Sequence, residues 1–390
     1  MEAPPGVLRE DQAGMVCKLL KALYGLKQAG HVWYKRMAKD FEQMGFTVLK
    51  SDQSVFVRNS DAGRVVVPVS TDDMVVAGTS KVAIESFKDE LRRRYDITDV
   101  GEIKWLLGFE VKRDRAARTI SINQKGYIEA MATKFGLVNA RPVSTPMDVG
   151  IDLNAERVAD SAGSADSTDI PYQEACGHVL WPAIISRPDI QFAVGLLARY
   201  TRGPTQTHWQ ALKRIINYLF TTRDLWLMLG GGDFSLNRYV DADWASQLDR
   251  HSTTGYLFKV AGGVVTWSSR RQGLIALSST EAEYIAATEA CKEVLWLQMF
   301  LDELGFAPTE ATTLQCDNQS AIALCRDSKF HARTKHMDIR YHFICEVIDN
   351  RELSVKYVAS GDNPADILTK ALGKTKFQSF LNVLGLRAVD

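Results

Sequence analysis

The stretch Arg238-Tyr239-Val240-Asp241-Ala242-Asp243-Trp244 decides how the rest of the chain is read. Tyr239 and Val240 favour extended backbone, so residues 236–240 are expected to form a strand that delivers the Asp241 carboxylate at its end. Three later acids occupy comparable places. Residues 313–316 alternate as a strand and lead to Asp317, just before an apolar-faced helix over 318–324. Residues 353–358 alternate as another strand, after which Asn363-Pro364-Ala365-Asp366 reads as a helix start with a capping side chain, a proline and an acid in the first turn. The fourth acid is Glu281, in Ser278-Ser279-Thr280-Glu281-Ala282-Glu283-Tyr284, which opens a helix burying Ala287, Ala290, Val294, Leu297 and Leu301. Both Ser278 with Glu281 and Thr280 with Glu283 fit a capping box, so Glu281 on its own reads as a helix-start residue.

Taken together, the four acids favour a metal. Two carboxylates 4 Å apart repel by about 4 kcal/mol at an effective dielectric of ~20, so gathering four without cations is a poor structural device. Hard oxygen ligands select Mg²⁺ or Mn²⁺ over zinc. Asp243 competes with Asp241, but two residues further along an extended chain its carboxylate moves by about 6–7 Å. Between the first two acids, strands over 255–260 and 263–268 are joined by a tight turn at Ala261-Gly262. The order from residue 236 is strand, hairpin, helix, strand, helix, helix, strand, helix, which suits a mixed sheet with helices on its faces.

The remaining sequence sets bounds. A chain of 390 residues, 46% hydrophobic and 24% charged, implies two or three folded domains. Its 47 basic and 47 acidic residues create no global field for nucleic acid, so any such contact must come from local patches. Six scattered cysteines with no CxxC pair argue against a disulfide framework or zinc knuckle and for a reducing compartment. No signal peptide or membrane span is legible, so a cytoplasmic or nuclear location is expected.

In the N-terminal third, Leu23-Tyr24-Gly25-Leu26-Lys27-Gln28-Ala29 continues into Trp33, Tyr34, Met37 and Phe41 at helical spacing. Strands over 54–57, 65–69 and 74–77 put Asp72 and Asp73 at a hairpin tip, where paired acids are most often a polar turn. A charged helix over 84–95, a strand at 120–122 and a helix over 127–135 follow. The acidic, small-residue run over 155–169 reads as a flexible linker. Beyond it, helices are expected over 189–200 and 209–219, the second capped by Thr207; Pro182 would cost about 3 kcal/mol inside a helix, so either the helix breaks there or this copy has drifted.

These words resemble the Pol polyprotein of copia-type LTR retrotransposons from residue 1 to about residue 372. The resemblance is carried by Leu23 to Ala29, the Asp72-Asp73 hairpin, Leu106-Leu107-Gly108-Phe109-Glu110, Asp241-Ala242-Asp243-Trp244-Ala245, residues 277–284 and 316–322, Lys335-His336-Met337-Asp338-Ile339, and residues 363–370. It implies a multidomain α+β or α/β chain, with partial reverse transcriptase palm and thumb at 1–140, a linker at 141–170, a helical connection at 171–233 and a ribonuclease H-like domain at 234–386. It further implies Asp241, Glu281, Asp317 and Asp366 as catalytic metal ligands for two Mg²⁺ or Mn²⁺ ions, acting on RNA/DNA hybrid. Asp72 and Asp73 become vestigial polymerase ligands. The family's Tyr is Ser70, Pro68 lies in the approaching strand, and the strand with a third aspartate is missing, so polymerisation is not expected. Arg270, Arg271, Lys329, Arg333, Lys335 and His336 are candidate nucleic-acid contacts, and the rest of a Pol polyprotein is a candidate partner.

Overall fold

A computed structural model describes residues 15–153, 170–232, 235–246, 249–306, 312–326 and 343–389. Most of the expected linker, the first residues of the chain, and Lys329, Arg333, Lys335 and His336 lie outside the described residues. The chain forms two compact units, Met1–Gly101 with Trp296–Ala307, and Glu102–Leu295 with Pro308–Asp390. The boundary read at residue 140 thus differs from the structural one at Gly101, and residues 102–140 join the second unit.

In the first unit, helix α1 (Ala29–Gln43) precedes strands β1 (Thr47–Val48), β2 (Val55–Ser60), β3 (Gly63–Ser70), β4 (Asp73–Met74) and β5 (Ala77–Gly78), then helix α2 (Lys81–Arg92). α1 starts later than its apolar spacing suggested. Gly25 adopts φ +88°, and the Leu26 N–H closes a turn on the Leu23 carbonyl at 3.3 Å, which breaks the helix upstream. Ser80 caps α2 through the Ala83 N–H. Both helices bury aromatic and aliphatic faces on the sheet, with Phe41, Phe46, Phe56 and Phe87 at the centre. β3 pairs with β2 on one edge and with β4 and β5 on the other, and the Ser70 and Asp73 register makes Thr71-Asp72 the hairpin turn.

In the second unit, β6 (Trp105–Leu106), β7 (Phe109–Asp114), β8 (Thr119–Asn123), β9 (Leu225–Gly230) and β15 (Leu386–Ala388) make an antiparallel sheet in the order β15-β9-β8-β7-β6. Among the described residues, the helices between its middle strands in sequence include α3 (Lys125–Lys134), α4 (Tyr172–Ile185), α5 (Gln191–Leu197) and α6 (Gln206–Thr221). Then come β10 (Leu236–Asp243), β11 (Thr253–Val260), β12 (Gly263–Arg271), α7 (Ser279–Glu303), β13 (Thr312–Cys316), α8 (Gln319–Arg326), α9 (Phe343–Asp349), β14 (Leu353–Tyr357) and α10 (Lys374–Leu384). The second sheet runs β12-β11-β10-β13-β14, antiparallel on the β11 side of β10 and parallel on the β13 side. This is the mixed sheet with flanking helices that the pattern implied.

One apolar core ties these parts together, with Ile128 and Met131 of α3, Val179 of α4, Leu212 and Ile216 of α6, Leu227 of β9 and Leu257 of β11 among its buried members. Within the connector, Arg187 forms a two-pronged pair with Asp189 at 2.9 and 2.8 Å, and Tyr218 donates to the same carboxylate at 2.6 Å, all of it buried. Two expectations about the connector need correction. The cap of α6 is Thr205, not Thr207: its hydroxyl accepts the His208 N–H, and its own N–H is taken by His208 Nδ1 at 2.8 Å. Pro182 does not end its helix but sits buried inside α4. Proline removes the donor that the His178 carbonyl would otherwise receive, and the Tyr127 hydroxyl replaces it at 3.1 Å. The six cysteines are all free, and no helix among the described residues is long and apolar enough to cross a membrane.

Candidate metal centre

The register of β10 creates the site. β10 and β13 run parallel up to the pairing of Val240 with Cys316, so the next residues, Asp241 and Asp317, emerge side by side. β10 itself continues to Asp243 through its pairing with β11, which holds Asp241 inside a strand instead of at its frayed end. The third acid comes from a 3₁₀ turn, Pro364–Leu368, capped by Asn363 through the Ala365 N–H. Asn363 also donates to the Val240 carbonyl at 2.9 Å and so ties that turn to the strand beside Asp241. Gly255, directly opposite Asp241, makes the approach possible. A Cβ there would lie 2.6 Å from the Thr369 methyl and 2.9 Å from Leu368 Cβ.

Asp241, Asp317 and Asp366 thereby offer carboxylate oxygens all within 4.8 Å of one another. Glu281 does not join them. Its carboxylate turns back to accept the Leu277 N–H at 2.8 Å while its own N–H bonds the Ser278 hydroxyl at 3.2 Å, so it serves the start of α7. The acid brought to the cluster is Glu283, which with Cys316 and Asp317 forms a second group of ligand atoms within 4.8 Å. Two residues along a helix turn a side chain by ~200°, so only one of the two glutamates can face the strands. The signal was present: Ala287 and Ala290, on the buried stripe, stand at i+4 and i+7 from Glu283 and on another face from Glu281.

Burial dominates the electrostatics. It pushes the Asp241 carboxyl up to about 7, with Asp366 and Asp317 adding to the rise while Lys370 and the Thr369 hydroxyl oppose it. Burial likewise drives Glu283 well above the carboxylate range, reinforced by Asp241 and Asp317 and opposed by the Ala242 N–H. Two ammonium groups, which the sequence reading did not single out, meet the cluster. Lys370 stands 2.8 Å from Asp366 Oδ1 and 3.6 Å from Asp241 Oδ2, and Lys376 pairs with Asp366 Oδ2. Asp366 Oδ1 is buried, with the Lys370 ammonium 2.8 Å away. Converging hard carboxylate oxygens, buried and only partly neutralised, fit a divalent cation of the Mg²⁺ or Mn²⁺ kind.

The other expected residues are dispersed. Asp72 and Asp73 are exposed at their hairpin, where Trp33 donates to the Thr71 carbonyl at 2.6 Å and Tyr24, held above the usual phenol range, hydrogen-bonds Asp72. Among the described residues no third acid gathers with them. Arg270 and Arg271 are exposed at the end of β12, and Arg271 is paired with Asp249 at 2.7 Å. Arg238, from the opening stretch, is 1% exposed; among the described residues its Nε and Nη2 have no hydrogen-bond partner.

Residues 1–149 match a family model described as reverse transcriptase (RNA-dependent DNA polymerase), which sets the class of the first part of the chain. Over its whole length the chain is 39% identical to the retrovirus-related Pol polyprotein from transposon TNT 1-94 of Nicotiana tabacum, of which it spans 29%. Over 75% of its length it is 31% identical to a transposon Ty5-1 protein of Saccharomyces cerevisiae, covering 94% of that protein. Among solved structures, RNase H1 from the halophilic archaeon Halobacterium salinarum NRC-1 matches 34% of the chain and 93% of its own length, at 18% identity and a TM-score of 0.22. The chain belongs to the copia-type retrotransposon Pol polyprotein family.

Proposed function

We propose that the second unit is a divalent-metal-dependent ribonuclease H that hydrolyses the RNA strand of RNA/DNA hybrids. The observation that carries this reading is the convergence of Asp241, Asp317 and Asp366, with Glu283 beside them, at one end of a mixed sheet. Two divalent ions, when bound, would supply Lewis acidity and lower the pKa of an attacking water. The chain's own part is to hold the ligands. β10 and β13 fix Asp241 and Asp317 by register, Asn363 fixes the Asp366 turn, and the Ala242 N–H orients Glu283. The products are 5′-phosphate and 3′-hydroxyl ends. Recognition of RNA through its 2′-hydroxyls falls to the wide minor groove of the hybrid, and the exposed Arg270 is a candidate phosphate contact.

The first unit we read as a palm fragment that does not polymerise: nucleotidyl transfer needs a third metal-binding acid, and among the described residues none gathers with Asp72 and Asp73. The test is cleavage of an end-labelled RNA/DNA hybrid with Mg²⁺, by the chain and by its Asp241→Asn variant. Cleavage lost in the variant is expected; equal cleavage by both, or none by either, overturns the nuclease reading. Primer extension on an RNA template by the same preparation would overturn the palm reading.

A further inference from the structure

Beside the acidic cluster the surface is apolar. Trp244, Leu274, Ile275 and Leu277 are 48%, 38%, 50% and 70% exposed, although side chains of this size gain by leaving water. They come from two segments, and the same two segments carry acids of the cluster. β10 delivers Asp241 and, three residues on, Trp244; residues 274–277 lead into α7 and Glu283. The segments are tied together twice. The Ala242 N–H bonds Glu283, and the Trp244 indole N–H donates to the Ala276 carbonyl at 3.0 Å. Ala245, at φ +51°, turns the chain directly after the indole. The donor of Trp244 is thus used within the protein, and what the ring offers outward is apolar surface.

We propose that Trp244, Ile275 and Leu277 form an apolar shelf that seats the RNA/DNA hybrid through its sugar and base edges, so that the phosphate to be cut falls on the acids. This rests on the nuclease reading above and deepens it by naming what holds the duplex. Continuity with the cluster identifies the occupant. Two residues of extended chain span about 6–7 Å, so a duplex whose phosphate lies at Asp241 also covers Trp244. Phosphates meet no charge on these side chains, whereas sugars and bases present apolar faces that an indole and two aliphatic chains can cover. The wide, shallow minor groove of an A-like duplex admits such a shelf, and its deep, narrow major groove does not. Contact of this kind is independent of sequence, because every nucleotide offers a similar edge.

Fluorescence anisotropy of a labelled RNA/DNA hybrid, with the full chain in EDTA, reads the shelf without turnover. Trp244→Ala and Leu277→Ser are each expected to weaken binding about tenfold. The slope of log affinity against log salt should stay unchanged, since no phosphate contact is removed. Trp244→Phe, which keeps an aromatic face, should restore most of the binding. Leu277→Ser leaves the bond from Trp244 to Ala276 in place, so a loosened loop cannot account for its loss, and circular dichroism checks the fold of each variant. In Mg²⁺ the effect should fall on KM, with kcat little changed. Parent-like affinity in both variants, or a loss confined to kcat, overturns the shelf. So does a parent dimer that both variants convert to monomer, which would make this face an interface between copies. Hybrid that binds but is never cut with Mg²⁺ sinks the nuclease reading alone, and hybrid that does not bind sinks both.

Discussion

At the residue scale, the contrast between Glu281 and Glu283 is the sharpest test of the site. Glu283→Gln is expected to lower hybrid cleavage at least about a hundredfold while leaving the fold intact, since it removes a charge that burial disfavours. Glu281→Gln is expected to keep cleavage and to cost about 0.5–1 kcal/mol in a denaturant melt, since it weakens the start of α7. Reversed outcomes would return the role to Glu281. Three of the four acids were legible because each follows a strand or opens a helix, and such ends are written in local alternation and caps. The fourth acid that the fold brings to the cluster, Glu283, was not singled out because two capping boxes overlap in Ser278 to Glu283, and only the helix phase, set by Ala287 and Ala290, separates them. Arg238 carries a second prediction. Burial lowers its guanidinium to about 10, and among the described residues Nη1 bonds the Leu236 carbonyl at 3.3 Å while Nε and Nη2 have no partner, so Arg238→Met should raise the melting midpoint by the equivalent of about 1–2 kcal/mol. A fall would show that the charge is needed.

At the scale of elements, α4 shows why a proline penalty read from sequence need not be incurred. The missing donor at His178 is supplied by Tyr127 of α3, a partner that no local pattern announces. Tyr127→Phe is expected to destabilise the protein by about 1–3 kcal/mol by leaving the His178 carbonyl unsatisfied. In a Pro182→Ala background, where alanine restores the helical N–H, the same substitution should cost clearly less, and equal costs in both backgrounds would sink this account. The existence of most strands and helices followed from alternation and apolar stripes. Their pairing did not, since the register placing Asp241 beside Asp317 depends on Val240 meeting Cys316 across a parallel ladder.

At the scale of the molecule, a proton and a metal would compete for the acidic cluster. Folding raises the Asp241 carboxyl to about 7 from an ordinary value of 3.8, so over that window the folded form holds a proton the unfolded chain has released. Stability of the metal-free protein from this group is therefore greatest below pH 3.8 and is lost as pH climbs through about 7. Asp366 and Asp317 add to this rise in Asp241, and Lys370 opposes it. Mg²⁺ should consequently raise the melting temperature more at about pH 8 than at about pH 5.5. Asp317→Asn should blunt the gain, and an unchanged response would count against the cluster as a metal site.

The core shared by α3, the connector helices and the mixed sheet also bears on how such genetic elements decay. Ile128, Leu212 and Leu227 precede Asp241 in the chain yet pack in the same cluster as Leu257. A deletion or frame-preserving insertion between β7 and β9 should therefore disrupt the core beneath the acidic cluster while every acidic codon survives, so motif counts in a genome would overstate how many copies keep the site intact.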